Sequence, residues 1–196
     1  MRAVVILLAG LMAASPAAAG RPSRPELEAG RWKHVRALSP EASRLVAEGV
    51  ERSPYIRSQL DALEKSNVVV YLTHSMPTGS GTCLKGHLRF VSAAAGVRYL
   101  GVWVDVLAAP DERLALLGHE LHHALEVASE PSVRSEQEMA ALYRRIGRET
   151  TDECFETREA VLAGLRVRGD LARPAMARNG VVERERGAAG LDTPRR

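Results

Sequence analysis

Aromatic side chains are scarce in this chain: two Trp, four Tyr and two Phe among 196 residues. A core built from it must rest on Leu, Val and Ala. Charge of one sign is missing too. The formal excess is +3, falling to +2 without Arg2, the only charged residue of the first 19. So small an excess excludes the basic footprint that nucleic-acid binding needs. Two cysteines, Cys83 and Cys154, allow one bridge. After the first 19 residues no apolar run approaches the roughly 20 that span a bilayer, and no internal repeat is visible.

What is present at the N-terminus is an export signal. Met1-Arg2 supplies a positive start, Ala3 to Ala14 an apolar stretch, and Ser15 to Ala19 a small-residue cleavage site, so residues 1–19 read as a signal peptide. The mature protein is expected to be secreted or periplasmic. In that oxidising setting an even cysteine count favours a Cys83–Cys154 disulfide. Its loop of about 70 residues would stabilise the fold by on the order of 4 kcal/mol.

Residues 20–38 are rich in Pro, Gly and Arg and read as a flexible arm. Ser39-Pro40 and Ser53-Pro54 each pair an N-cap with a proline at the first helical position, which predicts two short helices. Val68 to Leu72, Leu84 to Val91 and Arg98 to Val106 predict strands, the last with Leu100, Val102, Val104 and Val106 alternating onto one face. Thr78-Gly79-Ser80-Gly81 reads as a turn between the first two. A helix from Pro110 follows, then helices near Val133 to Ile146 and Thr151 to Val167, the latter opened by a Thr150-x-x-Glu153 capping box. The expectation is one α+β domain over 39–172, a short and mostly antiparallel sheet packed on the Pro110 helix, with a disordered tail over 173–196.

The informative stretch is Gly118-His119-Glu120-Leu121-His122-His123-Ala124. It contains His-Glu-x-x-His in the phase of a helix whose Leu114, Leu117, Leu121, Leu125 and Ala128 share a face. Histidines four apart stand one turn from each other, so His119 and His123 can converge on one metal ion. Glu120 is then placed to act on a water beside that metal. His122 is turned about 100° away and reads as a surface residue or as a support for the ligands. His74 and His87 lie outside the motif and read as surface residues.

A catalytic zinc site takes three protein ligands and leaves a fourth position open. Ser129 stands where an extended metzincin motif would carry a third histidine, so that pattern is excluded. Glu126 shares the face but lies roughly 10 Å along the axis from His119, which suits a supporting carboxylate or an exposed one. Glu156 is the first choice for the third ligand, read as lying early in a helix. Glu136, Glu153, Glu159 and Glu126 are the alternatives, and Glu159 could instead orient a ligand histidine.

The motif and a distal glutamate together resemble the gluzincin pattern of the zincin metallopeptidases. The runs Val97-Arg98-Tyr99-Leu100, Gly118 to Leu121, Ala124 to Ala128, Leu142 to Gly147 and Phe155-Glu156-Thr157 also resemble small secreted bacterial proteins in which Phe-Glu-Thr recurs after the motif. That resemblance favours Glu156 as a ligand. The chain departs from them at His122, where a glutamine is usual, and in Cys83 and Cys154.

The expected chemistry is zinc-dependent hydrolysis of peptide bonds, with Glu120 as general base. Tyr143 is a candidate oxyanion donor, or else a tyrosine packed at the core's rim. The strand Arg98 to Val106 would resemble the zincin edge strand, a template for an extended peptide. The alternatives are a catalytically silent metal-binding module and an amidase acting on a non-protein amide.

Overall fold

The computed structural model describes residues 31–75, 85–151 and 154–188. The described elements are, in order, β1 (Val35–Ala37), α1 (Pro40–Arg52), α2 (Pro54–Glu64), β2 (Val68–Ser75), β3 (Gly86–Ala94) and β4 (Val97–Asp105). After these come α3 (Pro110–Ser129), α4 (Glu136–Ile146), β5 (Arg148–Thr151), β6 (Cys154–Glu156) and α5 (Arg158–Ala188). The chain is a small α+β domain. The proposed signal peptide, the Thr78–Gly81 turn, Glu153, and the thiols of Cys83 and Cys154 lie outside the described residues. Among these, no helix is long and apolar enough to cross a membrane.

Helix starts follow the local chemistry. Ser39 Oγ accepts from the Ala42 N–H at 3.1 Å and Ser53 Oγ from the Ile56 N–H at 3.2 Å, each with proline at the first helical position. The predicted Val133 helix instead starts at Glu136, where Ser135 Oγ accepts from the Glu138 N–H at 3.2 Å. Glu138 reaches back to the Arg134 N–H at 2.8 Å, which closes a capping box.

The four-stranded sheet has the order β1-β2-β4-β3. It is mixed rather than mostly antiparallel: β1 and β4 both run parallel to β2, and only β3 pairs antiparallel with β4. The apolar content explains this order. Val68, Val70 and Leu72 on β2 and Leu100, Val102 and Val104 on β4 are buried on the face that meets the helices, so these two strands take the centre. β3 alternates exposed and half-buried residues and takes an edge. It reaches β4 through Ala95 (φ 49°) and Gly96 (φ 80°), a two-residue turn of the hairpin type.

Three readings from sequence are corrected here. β4 lies between β2 and β3, so β3 is the edge strand beside the motif helix. His74 is buried, because it continues the inward series Val68, Val70, Leu72, and its Nδ1 lies 3.4 Å from the Glu41 carbonyl oxygen. Arg148–Thr151 and Cys154–Glu156 pair antiparallel as β5 and β6 where the sequence predicts a helix start. Thr150, Thr151 and Phe155 are β-formers, and the helix cap falls instead on Thr157, whose Oγ1 accepts from the Ala160 N–H at 3.1 Å.

The core gathers around α3, which packs on the inner faces of β2, β3 and β4 and against α1, α2 and α5. Leu114, Leu117, Leu121, Ala124 and Val127 are all fully buried. The motif helix is therefore the central strut of the fold, held on several sides.

Candidate metal centre

His119 and His123 sit one turn apart on α3, and their Nε2 atoms point at each other across 3.1 Å. Glu156, the last residue of β6, brings Oε1 to 3.3 Å from His119 Nε2. One ligand atom from each of the three residues lies within 4.8 Å of the others, so the group could hold a metal ion. The spacing fits. A tetrahedral divalent cation with bonds of roughly 2.1 Å sets its ligand atoms about 3.4 Å apart.

Electrostatics point the same way. Burial alone would lower the His119 pKa, but the hydrogen bond to Glu156 and the charges of Glu120 and Glu156 raise it above the ordinary histidine value. Burial would raise Glu156, and the hydrogen bond and charge of His119, with His123 and Arg148, hold it below the usual carboxylate range. The pocket favours a positive charge between imidazole and carboxylate, where a cation would sit.

The far side of one imidazole is held as well. Glu126 Oε2 lies 2.8 Å from His123 Nδ1. With Nδ1 donating to that carboxylate, the His123 ring keeps its Nε2 lone pair for a metal. Thr157 Oγ1 donates to the other Glu126 oxygen at 2.6 Å. Glu126 is pushed up by burial and pulled further down by its bonds to His123 and Thr157, so it stands below its ordinary value.

Glu120, beside the ligands on α3, is 3% exposed. Its Oε2 is buried without a hydrogen-bond partner. Burial pushes its pKa up, only partly opposed by His123 and His119. A buried carboxyl with a free oxygen next to a cation site is a poised proton acceptor. It opens onto a cleft of about 930 Å³ lined by β3, α3, α4, β6 and α5. The α5 wall carries Val161, Gly164, Leu165 and Arg168, spaced three, four and seven residues along one helical face.

Tyr143 also lines the cleft, but its hydroxyl donates to the His123 carbonyl at 3.0 Å. Its ring stands edge-on to His123 at 5.3 Å and stacks on Phe155 at 6.5 Å. Burial raises its pKa well above the ordinary tyrosine value. The single phenolic proton is thus committed to the α3 backbone.

Among the other candidates, Glu136 is an exposed residue at the cleft's rim and Glu159 an exposed residue on the first turn of α5. His122 is half-buried, 3.9 Å from Glu126 Oε1, and burial lowers its pKa. His87 is exposed, its ring tilted on Trp103 at 5.6 Å. Sequence reasoning missed Thr157 and Gly86, both of which touch the residues around the ligands. Thr157 directly follows a candidate ligand, a signal that could have drawn attention to it. No family model, no curated protein and no solved structure matches this chain.

Proposed function

We propose that this chain is an exported zinc-dependent peptidase of the zincin type, with His119, His123 and Glu156 as metal ligands and Glu120 as general base. The observation that carries this reading is the joint placement of two facing Nε2 atoms, a carboxylate oxygen at 3.3 Å and an unpartnered, buried carboxyl oxygen beside them. Two imidazoles and a carboxylate suit zinc better than the harder oxygen-seeking cations. When bound, zinc supplies Lewis acidity, lowering the pKa of a water towards about 7 and polarising a carbonyl.

The protein's own part follows from its geometry. Glu120 takes the proton of the attacking water and hands it to the leaving amine nitrogen. Glu126 fixes the His123 ring, so that ring needs no reorientation as charge develops. Tyr143 acts as a positioning residue through the His123 backbone, since its proton is already in use.

Residues 86–89 run along the cleft on β3, which has no strand partner on its outer side among the described residues. An extended peptide can add there as a further strand, with its carbonyl delivered to the ligand pair. Leu88, Leu116, Val161 and Leu165 supply apolar contacts for its side chains.

Elemental analysis of the purified mature protein tests this reading first. About one zinc per chain is expected, lost in a His119→Ala, His123→Ala variant. Glu120→Gln should keep the metal and lose peptide hydrolysis by roughly 10²-fold or more. A chain that takes up no zinc when it is offered, or a Glu120→Gln variant as active as the parent, would sink the proposal.

A further inference from the structure

One hydroxyl joins the parts of this centre that come from distant stretches of chain. Thr157 follows Glu156 directly and is 1% exposed. Its Oγ1 donates to Glu126 Oε1 at 2.6 Å and accepts from the Ala160 N–H at 3.1 Å. Glu126 in turn holds His123 Nδ1 at 2.8 Å. Two of the three candidate ligands are therefore within two links of the same side chain: Glu156 by the peptide bond and His123 through Glu126.

The proton inventory makes the arrangement directional. A threonine hydroxyl has one proton, and Ala160 contributes its own, so the Thr157 proton must go to Glu126. With Oε1 taken by Thr157, the Oε2 atom of Glu126 is left to accept the Nδ1 proton of His123. That leaves the His123 Nε2 lone pair facing His119 and Glu156.

We infer that Thr157 is a positioning residue for the metal centre, setting the His123 ring through Glu126 while it anchors the start of α5 beside Glu156. This rests on the metal-site reading above. Valine at this position keeps the shape and removes both hydrogen bonds. Glycine, which N-cap positions tolerate, removes the donor with less harm to the helix. Serine restores the hydroxyl.

The test is zinc affinity by competition with a chromophoric chelator, alongside circular dichroism of each metal-free variant. Thr157→Val and Thr157→Gly should bind zinc 10- to 100-fold more weakly, the usual effect of losing a partner behind a ligand histidine. Thr157→Ser should return to within about threefold of the parent, as a residual hydroxyl predicts. Because the hydroxyl acts through Glu126, adding Thr157→Val to Glu126→Gln should cost little more than Glu126→Gln alone. Either a Val or Gly variant that binds zinc as the parent does, or losses that simply multiply in the double variant, overturns the inference and leaves the metal site standing. A parent chain that binds no zinc overturns both.

Discussion

Gly86 on β3 lies so close to Glu120 on α3 that a Cβ at Gly86 would sit 2.7 Å from the Glu120 Oε1 atom. The glycine is there for space, since its φ lies outside the left-handed region. The edge strand and the proposed base are thereby locked in register, and any side chain at position 86 must push the carboxyl aside.

Gly86→Ala should therefore separate chemistry from metal binding. The proposed zinc ligands lie on α3 and β6, and the three atoms nearest a Cβ at Gly86 all belong to Glu120, so zinc affinity should stay within a few-fold of the parent. A base displaced by about 1 Å loses on the order of 10²-fold in turnover. Steady-state hydrolysis beside a zinc titration reads both, and an alanine variant with undiminished turnover would show that Glu120 has room to spare.

A second close approach sets how α5 crosses the motif helix. A Cβ on Gly118 would lie 2.5 Å from Val167 Cγ2, and one on Gly164 would lie 3.3 Å from the Ala115 carbonyl. Gly118→Ala should destabilise the fold by about 1–3 kcal/mol through overpacking. Val167→Ala in the same chain should recover part of that loss, because the clash is with its methyl. Urea unfolding of the two single variants and the double one measures the coupling, and strictly additive losses would place the strain elsewhere.

Much of this was legible in the sequence, and the failures have physical reasons. The Ser-Pro pairs and the His-Glu-x-x-His helix depend on neighbours within four residues, and they appear where local chemistry puts them. The order of the sheet depends on which strands have both edges paired: the apolar series Leu100, Val102 and Val104 suits an inner place for β4, whereas the likeness to a zincin edge strand points the other way. The sequence places Glu156 early in a helix, yet it ends a strand. Either setting allows its carboxylate to reach the motif, so the choice of residue did not require the right element. Glu126, three residues past His123, was within helical reach from the start, whereas its link to Thr157 spans 31 residues and belongs to tertiary structure alone.

The C-terminal end of α3 is closed by a buried cation. Arg98, 1% exposed at the start of β4, donates to the carbonyls of Val127, Ala128 and Glu130 at 2.6–3.1 Å and to the Asn67 side chain at 2.5 Å. Its positive charge also faces the negative end of the helix dipole. Arg98→Met should cost about 3–5 kcal/mol, because it leaves several buried carbonyls without donors. The loss should appear equally with and without zinc, as Arg98 lies at the end of α3 away from its proposed ligands. Equilibrium unfolding in zinc and in chelator checks it, and a loss confined to one condition would tie this cap to the metal site.

The buried Glu120 carboxyl gives the metal-free protein a pH dependence with a definite sign. Its folded pKa is raised by burial above the ordinary 4.5. Between 4.5 and that raised value the folded chain holds a proton that the unfolded chain has released, so this group's contribution to stability falls as pH rises through the window. Glu126 and Glu156 have the opposite sign: their lowered values stabilise the fold above 4.5 and are lost in acid. His119, raised above 6.5, adds stability that fades as pH climbs through its folded value. Comparing the parent with Glu120→Gln in chelator leaves mainly the Glu120 contribution, apart from the smaller effect of its charge on His119. The variant should melt progressively higher than the parent as pH rises from 4.5 through the raised folded value, with the gap closing below 4.5. Melting curves that stay parallel across that range would mean that Glu120 ionises as an ordinary solvated carboxylate, and its role as a poised base would fall with them.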